Sequence, residues 1–255
     1  MVLRDELNRY LAEMYSFRDF EDYCLNGLQV EGKEQIEKIA FGVSFNLHLA
    51  AKTIEKKADA LIVHHGIFGK DFFVLKGYKK KNIKMLLDHE VSLIGIHLPM
   101  DANPKLGHNA LLLSAIGAPP VEPFEMGFIG ENVEEHTIDR IVDIFHDMLH
   151  ERPATAADGR KGFITVRSGP DIPRKIAVIS GGASNLYEKA IEAGADTFIC
   201  GEIKEHIPAL SYETETNFIN LGHYNSEKPG ILALMTHIEK KFDVEVEYVD
   251  IPNPI

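Results

Sequence analysis

A chain of 255 residues with 45% hydrophobic and 26% charged residues has an ordinary globular balance, enough for one large domain or two modest ones. Its formal net charge of −12 argues against a surface that neutralises nucleic-acid phosphates, and no apolar run reaches the roughly 18–20 residues a bilayer span needs. Two cysteines, Cys24 and Cys200, cannot build a disulfide framework, so reduced thiols and a cytoplasmic setting are expected.

Twelve histidines are the unusual count, and they direct attention to a metal site. The N-terminal MVLRDELNRYLAEMY is charged and amphipathic, without the apolar core of a signal peptide. From Lys38, KIAFGVSFNLHLAAKTIEKKADALIV reads as strand, helix, strand, the order in which a helix crosses back over a sheet. Within LIVHHGIFGK the second strand ends in His64 and His65, and Gly66 makes a turn cheap. Successive strand side chains point to opposite faces. The two imidazoles therefore share a site only where the strand has stopped; otherwise one is buried and hydrogen-bonded while the other is solvated. The one basic run, KGYKKKNIK (76–84), reads as a solvated helix face, with phosphate recruitment as the alternative. An apolar strand, SLIGIHL, then leads into HLPMD with His97 and Asp101, and HNALLLSAIG continues as a helix.

The Pro-rich PPVEPFEMGF marks the expected join between two lobes, residues 1–122 and 123–255. Beyond it, KIAVISGGASNLYEKAIEAGADTFIC aligns without a gap on the segment from Lys38, so that Lys52 falls on Lys189 and Ala58-Asp59 on Ala195-Asp196. A helical HIPALSYETE, a strand NFINLGH and a helical KPGILALMTHIEKKF complete the second copy. The fold class expected is α/β, with two similar α/β lobes related by internal duplication. Ligands of such a chain are expected in the cleft between lobes, outside the carboxyl ends of the strands.

The strand ends carry the chemistry. The first lobe offers His64-His65 and the pair His97 and Asp101; the second offers Gly201-Glu202 and the pair His223 and Glu227, each pair spaced His-x-x-x-acid. Three or four imidazoles with two carboxylates exceed the about four ligands of one zinc-like ion. Two divalent ions about 3.5–4 Å apart, bridged by a carboxylate, would use the whole set. The nitrogen and oxygen donors suit zinc, manganese or iron. His97, Glu202 and His206 are candidates for moving protons, the alternative for the last two being a helix-start carboxylate and a surface histidine. The SGGAS turn offers Ser180, Gly181, Gly182 and Ser184 as candidate anion-binding residues through backbone amides at a helix start. It lacks the spacing of a dinucleotide fingerprint or a P-loop, and a plain tight turn reads equally well. Cys200, inside an apolar strand, reads as a small buried hydrophobe.

Together, DYCLNGLQVEG, ADALIVHHGIF, GIHLPMDANPKLGHN, SGGAS, GADTFICGEIKEH and LGHYNSEKPG resemble the Nif-three-like proteins, often labelled GTP cyclohydrolase I type 2 homologues, along nearly the whole chain. The resemblance implies two related α/β lobes around a dinuclear site and a toroidal homohexamer. It implies metal ligation by His64, His65, Asp101, His223 and Glu227, with Glu227 as the bridge. The chain has no room for the domain some members insert, so it resembles the short form. The activity implied is metal-dependent hydrolysis of a small molecule, a nucleotide, by ring opening or at a phosphoester. A non-catalytic metal-binding ring scaffold or regulator, with a protein or nucleic-acid partner, is the alternative of a different class. NGLQVEG (26–32) belongs to the resemblance but brings no chemical role with it.

Overall fold

The structure is a computed structural model that describes residues 1–70, 74–149 and 163–253. They form a mixed α/β fold in two compact units, one holding Met1–Met100 and Gly230–Pro252 and the other holding Asp101–Pro229.

The first unit is built on a five-stranded sheet in the order Glu245–Tyr248, Lys38–Ser44, Ala60–His65, Ser92–Gly95, Gly27–Val30. The first four strands run parallel and Gly27–Val30 closes the edge antiparallel. Parallel strands are covered on both faces, which is why they read as unbroken apolar runs. Ile39, Phe41, Ile62 and Ile94 pack on one side with Leu7 and Leu11 of the helix Arg4–Met14 and with Ile231, Leu234 and Ile238 of the helix Lys228–Phe242. Their neighbours Ala40, Leu61, Val63 and Leu93 pack on the other side with Leu49, Ala50 and Leu86. The helix Leu47–Glu55 begins where the Asn46 side chain accepts the Leu49 N–H at 2.9 Å, an N-cap. The basic run lies on the helix Gly77–Asp88, where its lysines are mostly exposed and Lys84 pairs with Asp88 one turn on.

The second unit carries a six-stranded sheet in the order Pro120–Phe124, Gly127–Glu131, Lys175–Ile179, Thr197–Cys200, Asn217–Asn220, Ile164–Arg167. Its three strands from Lys175 to Asn220 are parallel, and the outer pairings are antiparallel. The Pro-rich PPVEPFEMGF forms the edge hairpin of this sheet, a place where a residue without an N–H costs no ladder bond. Ile176, Val178, Ile199 and Ile219 pack against Leu112, Leu113, Ile141 and Phe145, while Ala177, Phe198 and Phe218 pack against Tyr187, Ala190 and Ile207. Cys200 is buried in the second of these cores, and burial pushes its thiol up to about 12, as suits an inert small hydrophobe. Among the described residues no helix is long and apolar enough to cross a membrane.

In each unit an aspartate ties down the start of a parallel strand. Asp59 accepts from the N–H groups of Glu37 and Lys38 at 3.0 and 3.2 Å and from Lys33 Nζ at 2.6 Å. Asp196 accepts from the N–H groups of Arg174 and Lys175 at 2.7 and 3.4 Å. Burial alone would raise the Asp59 carboxyl, but the bonds from Lys33 and the two amides outweigh it and hold the group below its usual range. A depressed carboxyl contributes stability that is present above the unfolded pKa of about 3.9 and is lost as pH falls through the lower folded value. Asp59→Ala is therefore expected to destabilise the protein at pH 7 by about 1–3 kcal/mol, since it strands two amides. The deficit should shrink in acid, and denaturant titrations at neutral and acidic pH check both the size and the sign.

Candidate metal centre

The double-histidine strand ends at the point where its partner strand ends. Ser44 pairs with His65 on the last rung of the ladder, and Ser44 Oγ lies 2.9 Å from His65 Nδ1. His64 is buried, with Nδ1 2.8 Å from the carbonyl of Ile96, the residue after the neighbouring strand. A carbonyl only accepts, so a proton sits on Nδ1, and in its neutral form the ring presents the lone pair at Nε2. His97 follows directly. The donor atoms of His64, His65 and His97 all lie within 4.8 Å of one another, with ring centroids 4.5 to 5.5 Å apart. The strand has stopped at His65, and the two adjacent imidazoles do share a site.

The loop bearing DYCLNGLQVEG supplies what holds this trio. Asp22 accepts from His97 Nδ1 at 2.9 Å, from the N–H groups of Cys24 and Leu98 at 3.0 and 3.1 Å, and from Asn26 Nδ2 at 2.9 Å. Asn26 Oδ1 accepts the His97 N–H at 2.7 Å. Burial opposes the charge on His97, but Asp22 and the Cys24 thiol outweigh it and raise the ring to about 10; the same contact holds Asp22 well below the carboxylate range against its own burial. Gln29 Oε1 accepts from Ile67 and Phe68 N–H at 2.7 and 3.2 Å and so fixes the turn after the double histidine. A Cβ at Gly66 would meet this amide at 2.3 Å, which is why glycine stands there. These residues were silent in the sequence because their partners lie 38 to 76 positions away.

The second unit holds the other donors. Asp101 Oδ1 accepts from Ser180 Oγ at 2.8 Å, and Asn109 bridges the pair, donating to the Asp101 carbonyl at 3.1 Å while accepting the Ser180 N–H at 2.6 Å. His108, not singled out in the sequence although it lies in GIHLPMDANPKLGHN, is fully buried, its donor atom within 4.8 Å of that of Asp101. His223 Nδ1 lies 2.7 Å from Glu202 Oε1, and its Nε2 lies 3.1 Å from Glu227 Oε1. Glu227 raises the His223 ring most; burial opposes, Glu202 adds, and the result is about 9. A carboxylate on Nδ1 is the arrangement that orients an imidazole for ligation through Nε2.

SGGAS lies against these groups. Gly181 has φ +65°, and a Cβ there would sit 2.5 Å from Glu227 Oε1 and 3.2 Å from His223 Nε2. The N–H of Ser180 is taken by Asn109, that of Gly181 by Ser226 Oγ, and that of Ala183 by the Gly181 carbonyl. Gly182 faces the Glu202 carboxylate, with its added Cβ 3.3 Å away, and Ser184 is buried at the start of a short 3-10 helix. Three amides of the turn are thus taken within the protein, and its glycines lie against two carboxylates. His206 is exposed at the N-cap of the helix Ile207–Thr214.

The family profile described as Duf34/NIF3 (NGG1p interacting factor 3) matches residues 2–254. A Haemophilus influenzae protein named GTP cyclohydrolase 1 type 2 homolog is 35% identical over 98% of both chains, and an Escherichia coli K12 protein of the same name is 34% identical over 98% of both. Among solved structures, the structural-genomics protein ybgI, of unknown function, matches with TM-score 0.89 at 32% identity, covering all of both chains. A Thermus thermophilus protein matches with TM-score 0.90 at 29% identity, also over all of both chains.

The grip of Asp22 on His97 is open to direct measurement. Asp22→Asn keeps one of the two oxygens that take the Cys24 and Leu98 N–H groups and removes the charge, so the His97 pKa should fall from about 10 toward the ordinary value near 6.5. Imidazole resonances followed by NMR against pH in chelator-treated protein report it, and an unmoved titration would show that Asp22 does not set it.

Proposed function

Because the chain belongs to the Duf34/NIF3 family, we propose that it is a dinuclear metal-dependent hydrolase acting on a nucleotide, assembled from two lobes that arose by duplication. Asp59 and Asp196, matched in the gapless alignment, hold equivalent strand starts in the same way, which supports the duplication. The lobes of this reading are residues 1–122 and 123–255, and its assembly is a toroidal homohexamer in the cytoplasm.

One observation carries the metal reading: His64 and His223 each have Nδ1 engaged by an oxygen acceptor, which leaves Nε2 as the ligand atom. The donor set fits divalent ions of the zinc, manganese or iron kind, being imidazole and carboxylate without thiolate in the proposed ligand set. The backbone at Gly181 fits too, drawn in where any side chain would strike Glu227 and His223. The ligands in this reading are His64, His65, Asp101, His223 and Glu227, with Glu227 shared by two ions. Ions held there supply Lewis acidity and make water a nucleophile source near neutral pH.

The remaining residues have separable tasks. Asp22 keeps His97 charged and oriented, so His97 gives a proton to the group that leaves. Ser180 and Asn109 hold Asp101, and Glu202 orients His223 in preference to moving protons itself. Within the Ser180–Ser184 turn the Ser180 and Gly181 amides serve the donors, which leaves those of Gly182 and Ser184 as the anion-binding candidates.

Metal-loaded protein assayed on nucleotide and phosphoester panels with manganese or zinc should show turnover that His64→Ala abolishes. Inertness across the panels would favour a metal-binding scaffold. Elemental analysis of two variants tests the bridge: Glu227→Ala should lower occupancy at both ions, because a bridging carboxylate offsets two cations that otherwise repel. Asp101→Ala should empty mainly one, and equal single-ion losses would remove Glu227 from the bridging role.

A further inference from the structure

Residues 21–26 form a loop that bends at Tyr23 and lies beside the turn that follows the double histidine. The Lys70 N–H donates to the Tyr23 carbonyl at 2.8 Å, the Leu25 N–H donates to the Phe68 carbonyl at 3.0 Å, and Cys24 forms an antiparallel bridge with Gly69. A Cβ at Gly69 would lie 2.7 Å from the Tyr23 carbonyl, so this close approach depends on glycine. Exposure alternates along the segment: Asp22, Cys24 and Asn26 are covered more than their neighbours, while Tyr23 is 58% and Leu25 51% exposed. Tyr23 nonetheless sets its ring edge-on to buried His97, with centroids 4.9 Å apart and planes at 74°. One aromatic side chain thus touches both solvent and the imidazole shared with the donor trio. Beside it, Lys70 is 64% exposed, and its Nζ is 3.9 Å from the more exposed Glu21 carboxylate, a contact water screens.

We propose that Tyr23 and Lys70 form the recognition pair for a phosphorylated planar heterocycle, a mononucleotide, with Tyr23 stacking on the ring and Lys70 taking phosphate. The proposal rests on the hydrolase reading for its site and adds the residues that select the substrate. Every heterocycle offers a π-face, and an aromatic side chain binds it with little regard to its edge groups. An ammonium on a flexible stem meets phosphate as a point charge. The two residues face each other across a backbone pairing that Gln29 and Gly69 hold in place, so both are positioned before anything binds. A ring stacked on Tyr23 lies next to His97 and so beside the donor trio. One tyrosine and one lysine match a single nucleotide, and a chain of net charge −12 disfavours a long polyanion.

Calorimetric titration of the metal-loaded full chain with GTP, guanosine and tripolyphosphate tests the assignment. Tyr23→Ala should weaken GTP and guanosine about ten-fold and spare tripolyphosphate, with Tyr23→Phe close to wild type. Lys70→Ala should weaken GTP and tripolyphosphate and spare guanosine. Tyr23→Ala binding GTP as tightly as wild type overturns the proposal, as does a wild type that binds none of the three. An oligo(dT) strand that outcompetes GTP would move this surface to nucleic acid and overturn it equally. Metal content is measured on every sample. Absence of metal from wild type counts against the hydrolase reading, and the same titrations on that protein still decide the recognition pair.

Discussion

The hydrogen bond between His64 Nδ1 and the Ile96 carbonyl ties the chemistry of the candidate centre to the register of a sheet. Ile96 itself continues the parallel ladder, its N–H donating to the Val63 carbonyl at 2.9 Å. The strand pairing therefore places the carbonyl that holds the Nδ1 proton, and that leaves buried Nε2 as the nitrogen turned toward the neighbouring imidazoles. A slip of one residue would turn the imidazole to the opposite face of the sheet. The site is in this sense a property of the apolar packing on both faces of the sheet, and the histidines need no strain to present their donors.

Around that bond the first unit devotes its polar residues to orientation. Asp22, Asn26 and Gln29 come from a single stretch of eight residues, and each reaches a different backbone or side chain near the histidines. In the second unit Ser180, Asn109 and Glu202 act in the same way on Asp101 and His223. Buried polar groups need partners, and here each partner also fixes the direction of a donor. The two positive ring shifts, on His97 and His223, follow from carboxylates placed at Nδ1 or Nε2 and overcome the opposing effect of burial.

Much of this is legible in the amino-acid sequence. Apolar runs locate the parallel strands, the 3.6-residue pattern locates the helices, and strand ends point to His64, His65, His97, Asp101, His223 and Glu227, which fall in groups of side chains that could hold a metal ion. The roles of Asp22, Gln29 and His108 are not legible there, because hydrogen bonds across tens of residues leave no period in the sequence. The SGGAS turn shows the same limit from the other side. Its glycines have the look of an anion cradle, yet a side chain at Gly181 would strike Glu227 and His223, and the N–H groups of Ser180 and Gly181 itself are taken by Asn109 and Ser226. Only the identity of the facing atoms separates those two uses of a small residue.

The proposed reading would have imidazoles and carboxylates oriented in this way hold two divalent ions, with Glu227 shared. Anomalous diffraction from crystals of the metal-loaded protein, recorded at the zinc, manganese and iron edges, tests it most directly. The account predicts two peaks per chain about 3.5–4 Å apart, with Glu227 reaching both and His64 and His223 each presenting Nε2. A single peak, or two peaks without Glu227 between them, would contradict it.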